Sequence, residues 1–217
     1  MFYETSCFPF VRSLERHWED ILEEYDRVSS HFTHSEEDVY AGEVELSAVK
    51  EAAKSLSGFL PYVEEDMYNG DWEVFPFMFF HEKVERNCKA CPKTWKLLKD
   101  IPGLSSASFS VMKPSTEILP HTGFTNSVVR FQLPLIIPKQ QDRAALIVGD
   151  IIKRWDRGQC FSFDDTVWHS CHNRSDETRV VLIIDVERTA YDHINQGTPP
   201  GTFSYGGGLP VLTDQPL

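Results

Sequence analysis

The chain lacks most of what would commit it to nucleic acid, a membrane span or an oxidising compartment. Its 21 Lys and Arg are outnumbered by 33 Asp and Glu, and the basic residues form no cluster. A face for nucleic acid needs clustered cations, so neither nucleic-acid binding nor adhesion to an anionic membrane is expected from this balance. No apolar run reaches the ~20 residues that span a bilayer. The opening MFYETSCFPFVRSLERHWED has no basic start followed by an apolar stretch, so no secretory signal is expected. Cysteine is scarce and odd in number, five at irregular spacing, which argues against a disulfide framework and for a reducing, cytoplasmic setting. Cys88-Lys89-Ala90-Cys91 has no second CxxC and no βαβ context, so neither zinc nor redox chemistry is read from it. Repeats, low-complexity tracts and clear linkers are absent as well.

What is present is a globular composition: 41% of the residues are hydrophobic and 12% aromatic, enough for a sizeable core in one domain of 217 residues. Residues 11–28 place Val11, Leu14, Trp18, Ile21, Leu22, Tyr25 and Val28 at three- and four-residue steps, which predicts an amphipathic helix. A weaker helix is predicted over 46–57, ended by Gly58, and a short one opened by Pro92 and running through Leu98. Residues 59–82 are rich in aromatics and acids, with a turn signal at Asn69-Gly70-Asp71. From about residue 107 the pattern becomes strand-like: 107–113, 127–137, 144–149, 158–163, 166–172 and 178–186. The breakers include Pro114, Pro120 and Pro138. Short strands at this spacing predict a sandwich or barrel with helices at its N-terminal side. The tail from Gln196 reads as loop or arm.

Two histidines and an arginine stand out. His121 lies in Pro120-His121-Thr122-Gly123, His169 ends Phe163-Asp164-Asp165-Thr166-Val167-Trp168-His169, and Arg179 follows ten positions later. Non-haem iron sites use two histidines and a carboxylate, and the position two after His121 is glycine. In strand 127–137, Arg130 and Gln132 share one face and Val129, Phe131, Leu133 and Leu135 the other. The second set is core, so the first faces solvent or a polar pocket. A hairpin across Asn173–Glu177 would pair Cys171 with Arg179 and put His169 and Arg179 on one face as diagonal neighbours, roughly 7–8 Å apart. That arrangement suits a small diacid with one end on a metal and the other in the guanidinium fork.

PHTGFTNSVVRFQLPLIIP followed by FDDTVWHSCHNRSDETRVVLIIDV resembles the aspartyl/asparaginyl β-hydroxylases, iron(II)- and 2-oxoglutarate-dependent dioxygenases. The likeness reaches upstream through Gly70-Asp71-Trp72, Cys88, Pro92-Lys93-Thr94 and Phe109-Ser110-Val111-Met112. The resemblance implies a double-stranded β-helix, a jelly-roll or cupin-like barrel, as a mainly β core over 70–188. Residues 1–66 would form a helical part packed on it, and 189–217 a tail. It implies His121 and His169 as the metal ligands, and Arg179 on the distal carboxylate of 2-oxoglutarate. Ser110, Arg130, Trp72 and Gln132 would line the co-substrate pocket. Gln132 departs from the animal enzyme's histidine there, which removes a cation. Members resembling that enzyme also carry glycine for the missing carboxylate. The implied cofactors are Fe(II), 2-oxoglutarate and dioxygen. The implied reaction is hydroxylation of an unactivated carbon, foremost the β-carbon of an Asp or Asn residue in a peptide, carrier-bound or free amino acid. Lipid acyl chains rank below that, for want of a membrane segment.

Plainer readings apply elsewhere. His31, His34, His81 and His193 have no supporting pattern and read as surface groups. His172 has opposite parity to His169 and reads as outward. Asp164-Asp165 reads first as a turn-former, with a contact from Asp165 to the metal or its water ranked second. Cys160 and Cys171 read as buried small apolar residues. Two other functions stay open: a halogenase using the vacancy at Gly123, and a non-catalytic binding module on the same scaffold.

Overall fold

The computed structural model describes residues 2–32, 56–62, 67–123 and 125–194. The predicted helix over 46–57, His34 and the tail from Gln196 fall wholly or almost wholly outside them.

Helices α1 (Pro9–Arg16) and α2 (Trp18–His31) replace the single helix predicted over 11–28. The break is at His17, whose N–H bonds Leu14. Periodicity could not expose it, because Val11, Leu14, Ile21, Tyr25 and Val28 all join one core from both sides of the kink. Helix α3 (Glu85–Ala90) was not foreseen, whereas α4 (Pro92–Leu98) runs as predicted. Buried Glu24 of α2 accepts the α4 N-terminal N–H groups of Lys93 and Thr94 at 2.9 and 2.7 Å. A carboxylate is favourable there because it meets the positive end of the helix dipole.

The strands are β1 (Phe2–Tyr3), β2 (Leu60–Pro61), β3 (Tyr68–Asn69), β4 (Trp72–Phe79), β5 (Glu82–Lys83), β6 (Leu104–Met112), β7 (Thr116–His121), β8 (Val128–Ile136), β9 (Ala144–Val148), β10 (Ile151–Lys153), β11 (Phe161–Phe163), β12 (His169–Asn173) and β13 (Arg179–Glu187). One sheet has the order β1-β11-β8-β13-β6-β4-β2, with β5 beside β4; the other runs β10-β9-β12-β7-β3. Every pairing is antiparallel. Two antiparallel sheets whose strands alternate between them form the expected double-stranded β-helix.

The predicted hairpin does not form. β12 pairs with β7 and β9, while β13 pairs with β6 and β8 in the other sheet. Asn173 explains the turn: its Oδ1 accepts from Ser175 Oγ at 2.6 Å, and its Nδ2 donates to Met112, Lys113 and Glu177 carbonyls. Those bonds tie the turn to the end of β6, so the chain crosses between sheets instead of doubling back.

Each face of the large sheet has one job. Phe131, Leu133, Leu135, Phe109, Val180, Leu182 and Ile184 bury against the helices. Arg130, Gln132, Ser110, Arg179, Val181 and Asp185 take the alternate positions and face the small sheet.

Candidate active site

A β-bulge sets the first imidazole. Cys171 pairs with Ile118 but His169 pairs with His121, so three steps along β7 match two along β12. The extra residue lies at Leu119-Pro120, where proline is tolerated because the ladder is already interrupted. The bulge turns His121 to the interior face that buried Ile118 occupies, although the two positions differ in parity. Pro120 thus lies within β7 and does not end a strand.

His121 and His169 then sit with ring centroids 4.2 Å apart. Nδ1 of His121 is 2.8 Å from the Leu119 carbonyl, and Nδ1 of His169 is 2.8 Å from the Val167 carbonyl. A carbonyl only accepts, so each Nδ1 carries the proton, and a neutral ring leaves Nε2 with a bare lone pair. Burial and the neighbouring His121 push His169 down to about 3, so it is uncharged at neutral pH. Its Nε2 nonetheless lies 3.3 Å from Oδ1 of Asp165. With His169 neutral this is no ion pair; the Asp165 oxygen has the Arg130 guanidinium beside it, and the Nε2 lone pair of His169 stays open. The donor set therefore fits a metal such as iron(II).

Asp165 is 1% exposed and belongs to the site. A Cβ on Gly123 would lie 2.0 Å from its Oδ2, and the Gly123 N–H donates to its main-chain carbonyl at 2.6 Å. The carboxylate absent from position 123 is replaced in space by one from the other histidine's segment. Of the Asp pair, only Asp164 shapes the turn, accepting from Thr166 N and Oγ1 at 3.1 and 2.7 Å.

Arg130 stands between two acids. Its Nε and Nη2 donate to Asp185 at 2.8 and 2.9 Å, and its Nη1 lies 2.8 Å from Oδ1 of Asp165. That oxygen receives no directed hydrogen bond. Burial pushes the Asp185 carboxyl up and Arg130 opposes it. The two-pronged geometry is that of a carboxylate on a guanidinium, so we take the pair as charged.

Arg179 is the opposite case. It is 2% exposed, and burial lowers its pKa. Its Nη1 reaches Ser110 O and Oγ at 3.3 and 3.4 Å, its Nη2 the Cys171 thiol at 3.7 Å, and its Nε has no partner. The Trp155 ring lies 5.2 Å away. No carboxylate pairs with Arg179 among the described residues. Trp72 donates to Ser110 Oγ at 2.9 Å and stacks on Tyr62 at 3.7 Å. Trp155 donates to Gln132 at 2.9 Å. A polar cradle walled by two tryptophans therefore surrounds an unpaired guanidinium.

The aspartyl/asparaginyl beta-hydroxylase family pattern matches residues 15–189. The chain belongs to this family. It is 32% identical over 183 residues to an ornithine lipid ester-linked acyl 2-hydroxylase of Rhizobium tropici, covering 84% of this chain and 59% of that one. It is 31% identical over 188 residues to human aspartyl/asparaginyl beta-hydroxylase, covering 84% of this chain and 22% of that one. The chain thus spans about three-fifths and about a fifth of these relatives. An oxidoreductase of the 2OG-Fe(II) oxygenase family from Burkholderia pseudomallei aligns with TM-score 0.49 at 13% identity, covering 66% of this chain and 79% of that one. The fold assignment rests on the strand order above.

As a beta-hydroxylase family member the chain brings His121 and His169 together, and groups Arg179, Ser110, Trp72 and Gln132 around one cradle. Arg130 faces the interior as expected but is engaged by Asp165 and Asp185, not left open to a ligand. His169 and Arg179 are not diagonal neighbours on one face. They come from opposite sheets, and Arg179 crosses the interior to Cys171. Asp165, read first as a turn-former and only second as a neighbour of the metal, stands beside His169, while Asp185 and Trp155 were missed. Asp185 was findable: it shares parity with Arg179 and interrupts the apolar run Val180–Val186; that it falls opposite Arg130 is seen only in the fold. Trp155 carried no local signal. His81 is half-exposed and lies 3.2 Å from Glu187. Cys88 and Cys91 are buried, and burial pushes Cys88 up to about 12. Their thiols are therefore protonated and unreactive at neutral pH.

Proposed function

We propose that the chain is an Fe(II)- and 2-oxoglutarate-dependent hydroxylase. The observation that carries this reading is Arg179, a buried cation with no acid beside it among the described residues. Such a charge is costly unless an anion completes it, and a guanidinium fork suits a carboxylate. His121 and His169 would hold the iron through Nε2, and Asp165 would hold the water at the position that Gly123 leaves without a ligand. When bound, iron with 2-oxoglutarate and dioxygen would supply the oxidising power to replace C–H by C–OH. The protein's share is placement. Arg179 and Ser110 bind the distal carboxylate, Trp72 orients the Ser110 hydroxyl, and Trp155 shields the guanidinium. The Nδ1 bonds fix both imidazole tautomers.

Asp165 also bears on the halogenase alternative. Chloride beside that buried carboxylate would face like-charge repulsion. A purely binding role would leave Arg179 as an unrewarded cost. The carbon attacked is, on the family's name, the β-carbon of an Asp- or Asn-type group. An acyl carbon of a lipid is the second reading, supported by the similarity to the ornithine lipid ester-linked acyl 2-hydroxylase. The test is anaerobic loading with iron(II) and 2-oxoglutarate, then air. Succinate should form, and a candidate substrate should gain one oxygen atom by mass spectrometry. Chlorine incorporation, or no succinate with any substrate, would overturn the reading.

A further inference from the structure

We propose that Trp155 is a positioning residue of the co-substrate cradle. Its indole holds the Gln132 amide and the Arg179 guanidinium as one unit, with Gln132 Nε2 turned inward as a neutral donor to the carboxylate that Arg179 binds. The inference deepens the hydroxylase reading and rests on it.

Trp155 belongs to the loop between β10 and β11, yet it is 1% exposed. Connecting segments run over protein surfaces as a rule, so a loop that buries its largest side chain calls for a reason. The loop is fastened on the far side of Trp155. The Gly158 N–H donates to the Pro134 carbonyl of β8 at 2.9 Å, and the Cys160 N–H donates to Oε1 of Glu15 in α1 at 2.9 Å. Trp18 of α2 packs so closely on Gly158 that a Cβ there would lie 2.8 Å from its ring. Helices α1 and α2 thus pin the segment that carries the indole.

The indole makes two contacts of different kinds. Its Nε1–H donates to Gln132 Oε1 at 2.9 Å. An indole nitrogen only donates, so the atom facing it is the amide oxygen, and the two N–H bonds of Nε2 point elsewhere. Gln132 is buried on the interior face of β8, and among the described residues no acceptor meets its Nε2. The indole ring lies 5.2 Å from Arg179 Cζ, within reach of a cation–π contact. Arg179 Nε is likewise without a partner. One indole therefore spans two buried groups that each keep a free N–H. A carboxylate at Arg179 would meet one charged and one neutral donor, both fixed before it arrives, which lowers the ordering cost of binding.

The test is anaerobic calorimetry of 2-oxoglutarate binding to the full chain loaded with iron(II), with melting temperatures measured alongside. Gln132→Met should weaken binding by about 10- to 100-fold, the range for a hydrogen bond to a charged group. Trp155→Phe keeps an aromatic face and loses the N–H. It should weaken binding by roughly tenfold, because the amide is then free to turn. Gln132→Met/Trp155→Phe should bind within about twofold of Gln132→Met alone, since both changes remove the same donor. Gln132→Glu keeps the bond to the indole but replaces the donor by an acceptor, and should bind more weakly than Gln132→Met. Iron(II) affinity should be unchanged in every variant. Losses that multiply in the double variant, or wild-type affinity in Gln132→Met or Gln132→Glu, would overturn the proposal. So would a lower melting temperature with affinity retained in Trp155→Phe, since the indole would then be structural only. If wild type itself binds no 2-oxoglutarate, the hydroxylase reading falls and this inference with it; wild-type binding that the variants leave unchanged removes this inference alone.

Discussion

A β-carbon on Gly123 would lie 2.0 Å from the Asp165 carboxylate. Glycine at 123 is therefore what lets a carboxylate from the segment before β12 stand beside His169. The backbone at Gly123 places no demand for glycine; the neighbour does.

Gly123→Ala should displace Asp165. Iron(II) affinity should fall by about 10- to 100-fold, the usual effect of losing a group that supports a metal ligand. Gly123→Asp combined with Asp165→Gly, which returns the carboxylate from the other side, should recover part of it. Titration of the metal-free protein with iron(II) reads both. Full affinity in Gly123→Ala would show that Asp165 has no role at the metal.

Arg179→Met should raise the 2-oxoglutarate requirement by at least ~100-fold, since a charge-assisted pair is worth about 3 kcal/mol. Iron binding should not change. Without co-substrate the variant should be no less stable than wild type, because an unpaired buried charge is removed. Added 2-oxoglutarate should raise the melting temperature of wild type only. A large loss of stability in Arg179→Met alone would mean that the guanidinium is structural.

Arg130→Met leaves Asp185 buried and uncompensated, and should destabilise the fold by about 3–5 kcal/mol. Arg130→Met/Asp185→Leu should recover only part of that stability and no turnover, because buried Asp165 still lacks the guanidinium beside it. Denaturant melts and succinate assays on the two variants separate the effects. Turnover restored along with stability would reduce the pair to a scaffold.

Asp164 sets an acid limit. Burial would raise its pKa, but Arg188, Thr166 and Tyr3 outweigh burial and hold it below its usual 3.8. The unfolded chain therefore takes up this proton first. The stabilisation is present in full above about pH 4 and is lost as pH falls through the lower folded value. Arg188 donates to Asp164 at 2.9 Å and to the Tyr3 hydroxyl at 2.8 Å, tying β1 to this loop. Arg188→Met should lower stability at pH 7 by about 3 kcal/mol or more, leaving a buried acid exposed to burial cost alone. The deficit should shrink as pH falls, beginning above pH 4 where burial makes the variant's Asp164 take up its proton, which melts from about pH 7 down to about 3 would read. A deficit independent of pH would show that Asp164 is not its source.

The sequence by itself determined the composition of the strands and the contents of their faces. Alternation in β8 and β13 separated Phe131, Leu133, Val180 and Leu182 from Arg130, Gln132 and Arg179, because side chains in a strand alternate whatever the strand pairs with. The order of residues around His121, His169 and Arg179 was enough to identify the family. Tertiary structure alone decided how these faces meet. Asn173 is bonded to the end of β6, which sends β13 to the other sheet, so that Arg179 reaches across the interior to Cys171 of the strand that begins at His169. A bulge at Leu119-Pro120 overrides parity for His121. Whether a charged group has a partner is likewise a property of neighbours distant in sequence. Arg130 and Arg179 look alike in the chain, yet among the described residues folding gives Arg130 two carboxylates and Arg179 none.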